Sequence, residues 1–116
     1  MKSGPGRTPD FLQHILEAIA RISTYTAGMN EADFAANQMV QDAVIRNIEN
    51  MGEAARNIEA SDPDFIWKHP QVPLRDVYRM RNRLAHGYFT VDIVLVWNAV
   101  KTDIPALREQ ILAIKS

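Results

Sequence analysis

Between Glu31 and Ala60, the apolar residues Val40, Val44, Ile48, Met51, Ala55 and Ile58 recur at spacings of three and four. Successive side chains advance about 100° around an α-helix, so this spacing draws one stripe along one long helix over about residues 31–60. A stripe of that length has to be covered by other elements, which commits the chain to helix-on-helix packing. Asn47 falls inside the stripe, and a buried amide needs a hydrogen-bond partner. Gly52 sits in mid-helix, where glycine costs about 1 kcal/mol relative to alanine. A residue without a side chain suits the close approach of another helix. Glu49 and Glu53 fall on the far side from the stripe, toward solvent or a second subunit.

The rest of the chain supplies the covering helices. Thr8-Pro9-Asp10 reads as a helix start, with Thr8 as N-cap, proline at the first helical position and an acid in the first turn. Phe11, Leu12, Ile15, Leu16, Ile19 and Ile22 line one face of that helix to about Ala27, and Gly28 ends it. His14 lies off the face and reads as exposed. Asn30, Glu31 and Asp33 suit the start of the long helix. Ser61–Pro73 carries three prolines and forbids a continuous helix, and Phe65, Ile66 and Trp67 are expected to fold back over the core. His69 precedes a proline, sits in extended chain and reads as structural or exposed.

The run from Val91 to Val100 looks strand-like by its β-branching. A wider window decides otherwise: Ile93, Trp97, Val100, Ile104, Leu107 and Ile111 recur at 4-3-4-3-4, a helical period. Thr90 is the expected N-cap of this last helix, and Pro105 kinks it or starts a second segment near Asp103. The prediction is an all-α fold, an antiparallel up-down bundle of four to five helices. Residues 1–8 form a disordered tail and residues 9–116 a single domain. Val94, Leu95 and Val96 cover more than one helix face, which points to a homodimer.

Composition narrows the chemistry. The chain has no cysteine, so disulfides, thiol catalysis and cysteine metal sites are excluded, and three scattered histidines offer no metal-ligand motif. No apolar run reaches the roughly 18 residues that span a bilayer, and the N-terminus lacks an apolar leader. The expectation is a cytoplasmic protein with no membrane partner, no metal and no cofactor. Charge is unevenly spread. Lys68–Tyr88 holds five Lys/Arg against one Asp, a local +4 in a chain of net charge -1. Such a stretch is either a solvated helix face or an anion-facing surface.

Within it, Leu74–His86 reads as one helix whose apolar arc is Leu74, Val77, Met80 and Leu84. Arg75, Arg79 and Arg83 project away from the arc. Arg81 does not: it lies about 40° from Val77. An arginine there is either tied to a carboxylate in the core or exposed in a cleft where something replaces water. His86 falls in the last turn before Gly87, where the partial negative charge of the helix end favours the protonated imidazole.

The segment Arg81-Asn82-Arg83-Leu84-Ala85-His86 resembles the R-x-x-x-x-H motif of HEPN domains, and Gly87-Tyr88 extends it to the R-x-x-x-x-H-x-Y form of HepT-like proteins. Tyr25-Thr26-Ala27-Gly28, Gly52-Glu53-Ala54 and Asp103-Ile104-Pro105-Ala106-Leu107 are also similar to that family, so the resemblance spans about residues 9–114. It implies a homodimeric helical bundle acting as a metal-independent ribonuclease toxin. It implies as partner a minimal nucleotidyltransferase antitoxin that adds AMP to the motif tyrosine, here Tyr88. On this reading Arg81 and His86 are catalytic and Asn82 is auxiliary. Arg75, Arg79 and Arg83 guide the RNA backbone. Two other readings stay open: a non-catalytic nucleotide-binding or substrate-presenting subunit of a nucleotidyltransferase complex, and a structural bundle in which Arg81 pairs with Glu49 or Glu53. Without the resemblance, Tyr88 is simply a residue packed near the helix end.

Overall fold

In a computed structural model of the protein, residues 5–85 and 92–115 are described, and among them every regular element is helical. Helix α1 spans Thr8–Thr26, α2 Glu31–Ala35, α3 Gln38–Ser61, α4 Pro63–Lys68, α5 Leu74–Ala85, α6 Ile93–Asn98 and α7 Ile104–Lys115. Helix α3 packs against α1 on one side and α5 on the other, and α7 reaches α1.

The all-α expectation holds, and the stripes predicted from spacing form the core. Ile15, Ile19 and Ile22 of α1, Val44, Ile48, Met51, Ala55 and Ile58 of α3, and Trp97, Val100, Ile104, Leu107 and Ile111 are all buried. Asn47 is buried too. Its Nδ2 donates to the Ala43 carbonyl at 2.9 Å, while its Oδ1 has no hydrogen-bond partner among the described residues.

Several boundaries differ from the expected ones, each for a local hydrogen-bonding reason. The long helix does not run unbroken from residue 31. Asn30 caps the short α2 in a reciprocal capping box with Asp33. Asn37 then leaves the helical conformation, and its Oδ1 accepts from the Val40 N–H to begin α3. Gln41 fastens the break by donating to the Phe34 and Ala35 carbonyls at 2.8 and 3.0 Å. At the N-terminus, Pro5–Arg7 form a 3-10 turn. Thr8 already belongs to α1 and is buried. Its hydroxyl does not cap the helix but donates to Asp62 Oδ2 at 2.7 Å, tying the start of α1 to the end of α3.

The proline-rich break contains the short α4. Phe65 is buried and stacks with His69 at 4.7 Å, but Trp67 is 80% exposed, so it does not cap the core as expected. Asp92, and not Thr90, caps the segment after α5, its Oδ1 accepting from the Leu95 N–H. Thr90 itself lies outside the described residues. Between α6 and α7, Ala99–Asp103 form a π-helical turn. Proline has no N–H for the helical ladder and its ring crowds the preceding turn. The wider turn admits Pro105 at the start of α7, with the Ile104 N–H donating to Ala99 O.

Candidate functional site

Helix α5 carries the arginines, and its register decides what each can do. Leu74 and Val77 are buried against the core. Arg75 and Arg79 point outward, where Arg75 Nε meets Glu59 Oε2 at 2.6 Å and Arg79 Nη1 meets Asp76 Oδ1 at 3.2 Å. Exposed ion pairs of this kind contribute about 0–1 kcal/mol each, so a stronger anion can displace them. Arg83 is exposed. With Arg79 it lines a groove of about 560 Å³ between α5 and α7, floored by Ile48, Met51, Val77, Met80, Ile104 and Leu107 and bordered by Asp76 and Asp103. The three arginines expected to guide RNA follow one ridge of α5 at i, i+4 and i+8 but meet different neighbours. Arg75 leans toward α3, and Arg79 and Arg83 border the α7 side.

Arg81 takes neither of the two extremes offered by the helical wheel. Its stem packs on α3 at Gly52, where a Cβ would fall 2.6 Å from Arg81 Cγ and closer still to Arg81 Cβ. Real carbon atoms do not approach so closely, so glycine is required for α5 to sit where it does. The Arg81 side chain is neither sealed in the core nor fully exposed. Its Nη2 lies 3.6 Å from Glu53 Oε2, with the side chains 28% and 54% exposed respectively. Its Nη1 donates to Asn82 Oδ1 at 3.0 Å. Arg81 Nε is buried with no hydrogen-bond partner among the described residues. A guanidinium held by its stem, partly exposed and facing one loosely bound carboxylate, is suited to gripping a phosphate.

His86, Gly87 and Tyr88 lie outside the described residues, as do Phe89 and Val91. The structure thus places Arg81, Asn82, Arg75, Arg79 and Arg83 on one helix and brings Arg81 and Asn82 together. Of the two carboxylates open to Arg81 in the sequence, Glu49 and Glu53, it is Glu53 that the structure brings to the guanidinium, and it does so at a half-exposed position and not in the core. The available signal was Gly52: a glycine in the middle of a long helix marks the point where another helix touches, and Glu53 is its neighbour. Beyond Glu53, an open groove between α1 and α3 is lined by His14, Glu17, Arg21, Asn50 and Asn57. Arg56 lies over the Tyr78 ring at 5.7 Å, adding a second α3–α5 contact on the outer surface. Among the described residues, no cluster of three or more His, Asp or Glu could hold a metal ion, and no helix is long and apolar enough to cross a membrane.

Comparison with known proteins supplies the context for this geometry. The family described as Ribonuclease HepT-like matches residues 15–114. The chain is 43% identical over 99 residues to a protein of Thermococcus cleftensis named "Probable ribonuclease HepT", covering 85% of this chain and 87% of that one. It is 44% identical over 104 residues to a Methanocaldococcus jannaschii protein named "Gamma-glutamylcyclotransferase and putative RNase", covering 90% of this chain but 46% of that one. The chain thus spans less than half of that relative. No solved structure matches the chain.

Proposed function

Since the chain belongs to the HepT-like ribonuclease family, we propose that it is an RNA endonuclease that cleaves without metal, with Arg81 and His86 as its catalytic residues. The observation that supports this most is the state of Arg81. A purely structural ion pair would be sealed in the core, whereas the Arg81 side chain is 28% exposed and its carboxylate partner 54% exposed.

RNA carries its own nucleophile, the 2′-hydroxyl. Attack of that oxygen on the adjacent phosphorus forms a P–O bond, breaks the bond to the 5′ oxygen, and leaves a 2′,3′-cyclic phosphate and a 5′-hydroxyl. The 2′ proton must go to a base, the leaving 5′ oxygen must receive a proton, and the phosphorane must be stabilised by positive charge. Imidazole is the only motif group whose ordinary titration lies near neutrality, so His86 moves protons. Arg81 stays charged and holds the phosphate, and Asn82 hydrogen-bonds the phosphate or orients the motif. One imidazole cannot easily serve both sides of the scissile bond. A homodimer with two copies of the motif across one cleft supplies the second. Arg75 and Arg79 exchange their loose partners for RNA phosphates, and Arg83 binds the backbone beside them.

In the full proposal the protein is a cytoplasmic toxin. Its antitoxin, a minimal nucleotidyltransferase, transfers AMP to Tyr88, adding a negative phosphate and a bulky base beside the motif. The test is expression of the wild type and of His86→Ala in a bacterial host, alongside RNA cleavage by the purified proteins. Wild type is expected to slow growth and cleave RNA, and His86→Ala to do neither while keeping its helical fold. A His86→Ala protein that cleaves RNA at the parental rate would remove His86 from the mechanism.

A further inference from the structure

Two neighbouring residues of α3 act on the same α5 side chain, with a third contact from α5 itself. Gly52 offers bare backbone to the Arg81 stem. Glu53 brings a carboxylate oxygen to 3.6 Å from Nη2. Asn82 accepts from Nη1 at 3.0 Å. The guanidinium is a rigid plane with five N–H donors. Contacts at Nη1 and Nη2, together with a stem pressed on Gly52, leave that plane little freedom to rotate. Glu53 itself is half exposed and borders the open groove between α1 and α3, so it contributes charge and direction more than packing.

We propose that Glu53 is a positioning residue: its carboxylate sets the plane of the Arg81 guanidinium and keeps the remaining Nη donors turned toward an incoming RNA phosphate. This rests on the reading of Arg81 as the phosphate-binding cation. A preset guanidinium loses less freedom when it binds, and it stabilises developing charge without first having to reorient. The 3.6 Å separation matters here. It is close enough to steer a cation but too loose to hold it against a phosphate, which offers two oxygens and a bidentate grip.

The decisive variant is Glu53→Gln, which keeps the shape and removes the charge. Its kcat is expected to fall about tenfold with KM within about twofold, because the loss appears in the transition state more than in binding. Thermal unfolding is expected to stay at the parental temperature, since exposed ion pairs add little to stability. A second readout does not depend on catalysis. The Arg81 Nε–H proton, buried in the wild type, should give a slowly exchanging nitrogen–proton NMR signal, assigned by its loss in Arg81→Lys. In Glu53→Gln that signal should exchange faster. Parental kcat with an unchanged Arg81 signal would overturn the proposal, as would a loss of activity that tracks a loss of thermal stability. A wild type that cleaves no RNA would overturn the proposed nuclease function. Faster Arg81 exchange in Glu53→Gln would then support the positioning contact on its own.

Discussion

Replacing Gly52 with alanine adds one methyl group at the point where α3 and α5 touch. The new carbon would lie 2.6 Å from Arg81 Cγ, closer to Arg81 Cβ, and 3.4 Å from Cδ. Non-bonded carbons settle at about 3.5–4.0 Å, so the gap must open by about 1 Å or more. Rotation about χ1 moves Cγ and Cδ but leaves Cβ, which is fixed to the backbone, so α5 itself has to shift. Overpacking of this kind costs about 1–3 kcal/mol. Alanine returns about 1 kcal/mol of helix propensity. The net expectation is a loss of about 0–2 kcal/mol, read as a lower midpoint in urea followed by circular dichroism. The consequence for cleavage is larger, because a displacement of about 1 Å at a positioned group can cost about 100-fold in rate. The assay is single-turnover RNA cleavage beside the urea titration. If Gly52→Ala gains the full propensity of about 1 kcal/mol and cleaves at the parental rate, the close approach of α5 at this point is wrong.

Other consequences of the structure are simpler to read. Ile58→Ala empties a fully buried site on α3 and should cost about 2–5 kcal/mol in urea unfolding, without changing the helical spectrum. Asn37→Ala removes the cap that starts α3 and should cost about 0.5–2 kcal/mol, and Asn37→Asp should largely preserve stability. Trp67→Ser should change stability by no more than about 0.5 kcal/mol, because the indole is exposed and not folded over the core. Co-expression with a minimal nucleotidyltransferase should add one or more AMP units to the intact mass, absent in Tyr88→Phe; an unmodified wild type would count against control through Tyr88.

What the sequence displayed most clearly was whatever follows from the helical period. The stripes on α1 and α3 and the run from Trp97 to Ile111 were all readable, because burial imposes regular spacing on a helix. The breaks were harder, since they depend on single side chains competing for backbone groups. Asn37 caps α3 although it sits in an otherwise helical pattern. Thr8 looked like a cap and instead bonds Asp62, a residue far away in sequence. Trp67 is apolar and flanked by prolines, and nothing local says which way it faces. Within the site, the helical wheel placed Arg81 between core and surface but could not choose. That choice is made by Gly52 and Glu53 on another helix, and tertiary partners leave no periodic trace. The π-helical turn before Pro105 was legible only as a kink, because the missing N–H can be accommodated in more than one way.

The central claim is that an arginine held at the surface of α5 supports RNA cleavage by proton transfer and charge stabilisation alone. The most direct measurement incubates the purified protein with single-stranded RNA in excess chelator and identifies the new ends. Undiminished cleavage is expected, with 2′,3′-cyclic phosphate and 5′-hydroxyl ends, and it is expected to be lost in a folded Arg81→Ala protein. Cleavage that appears only when magnesium is restored, or that survives at the parental rate in Arg81→Ala, would contradict it.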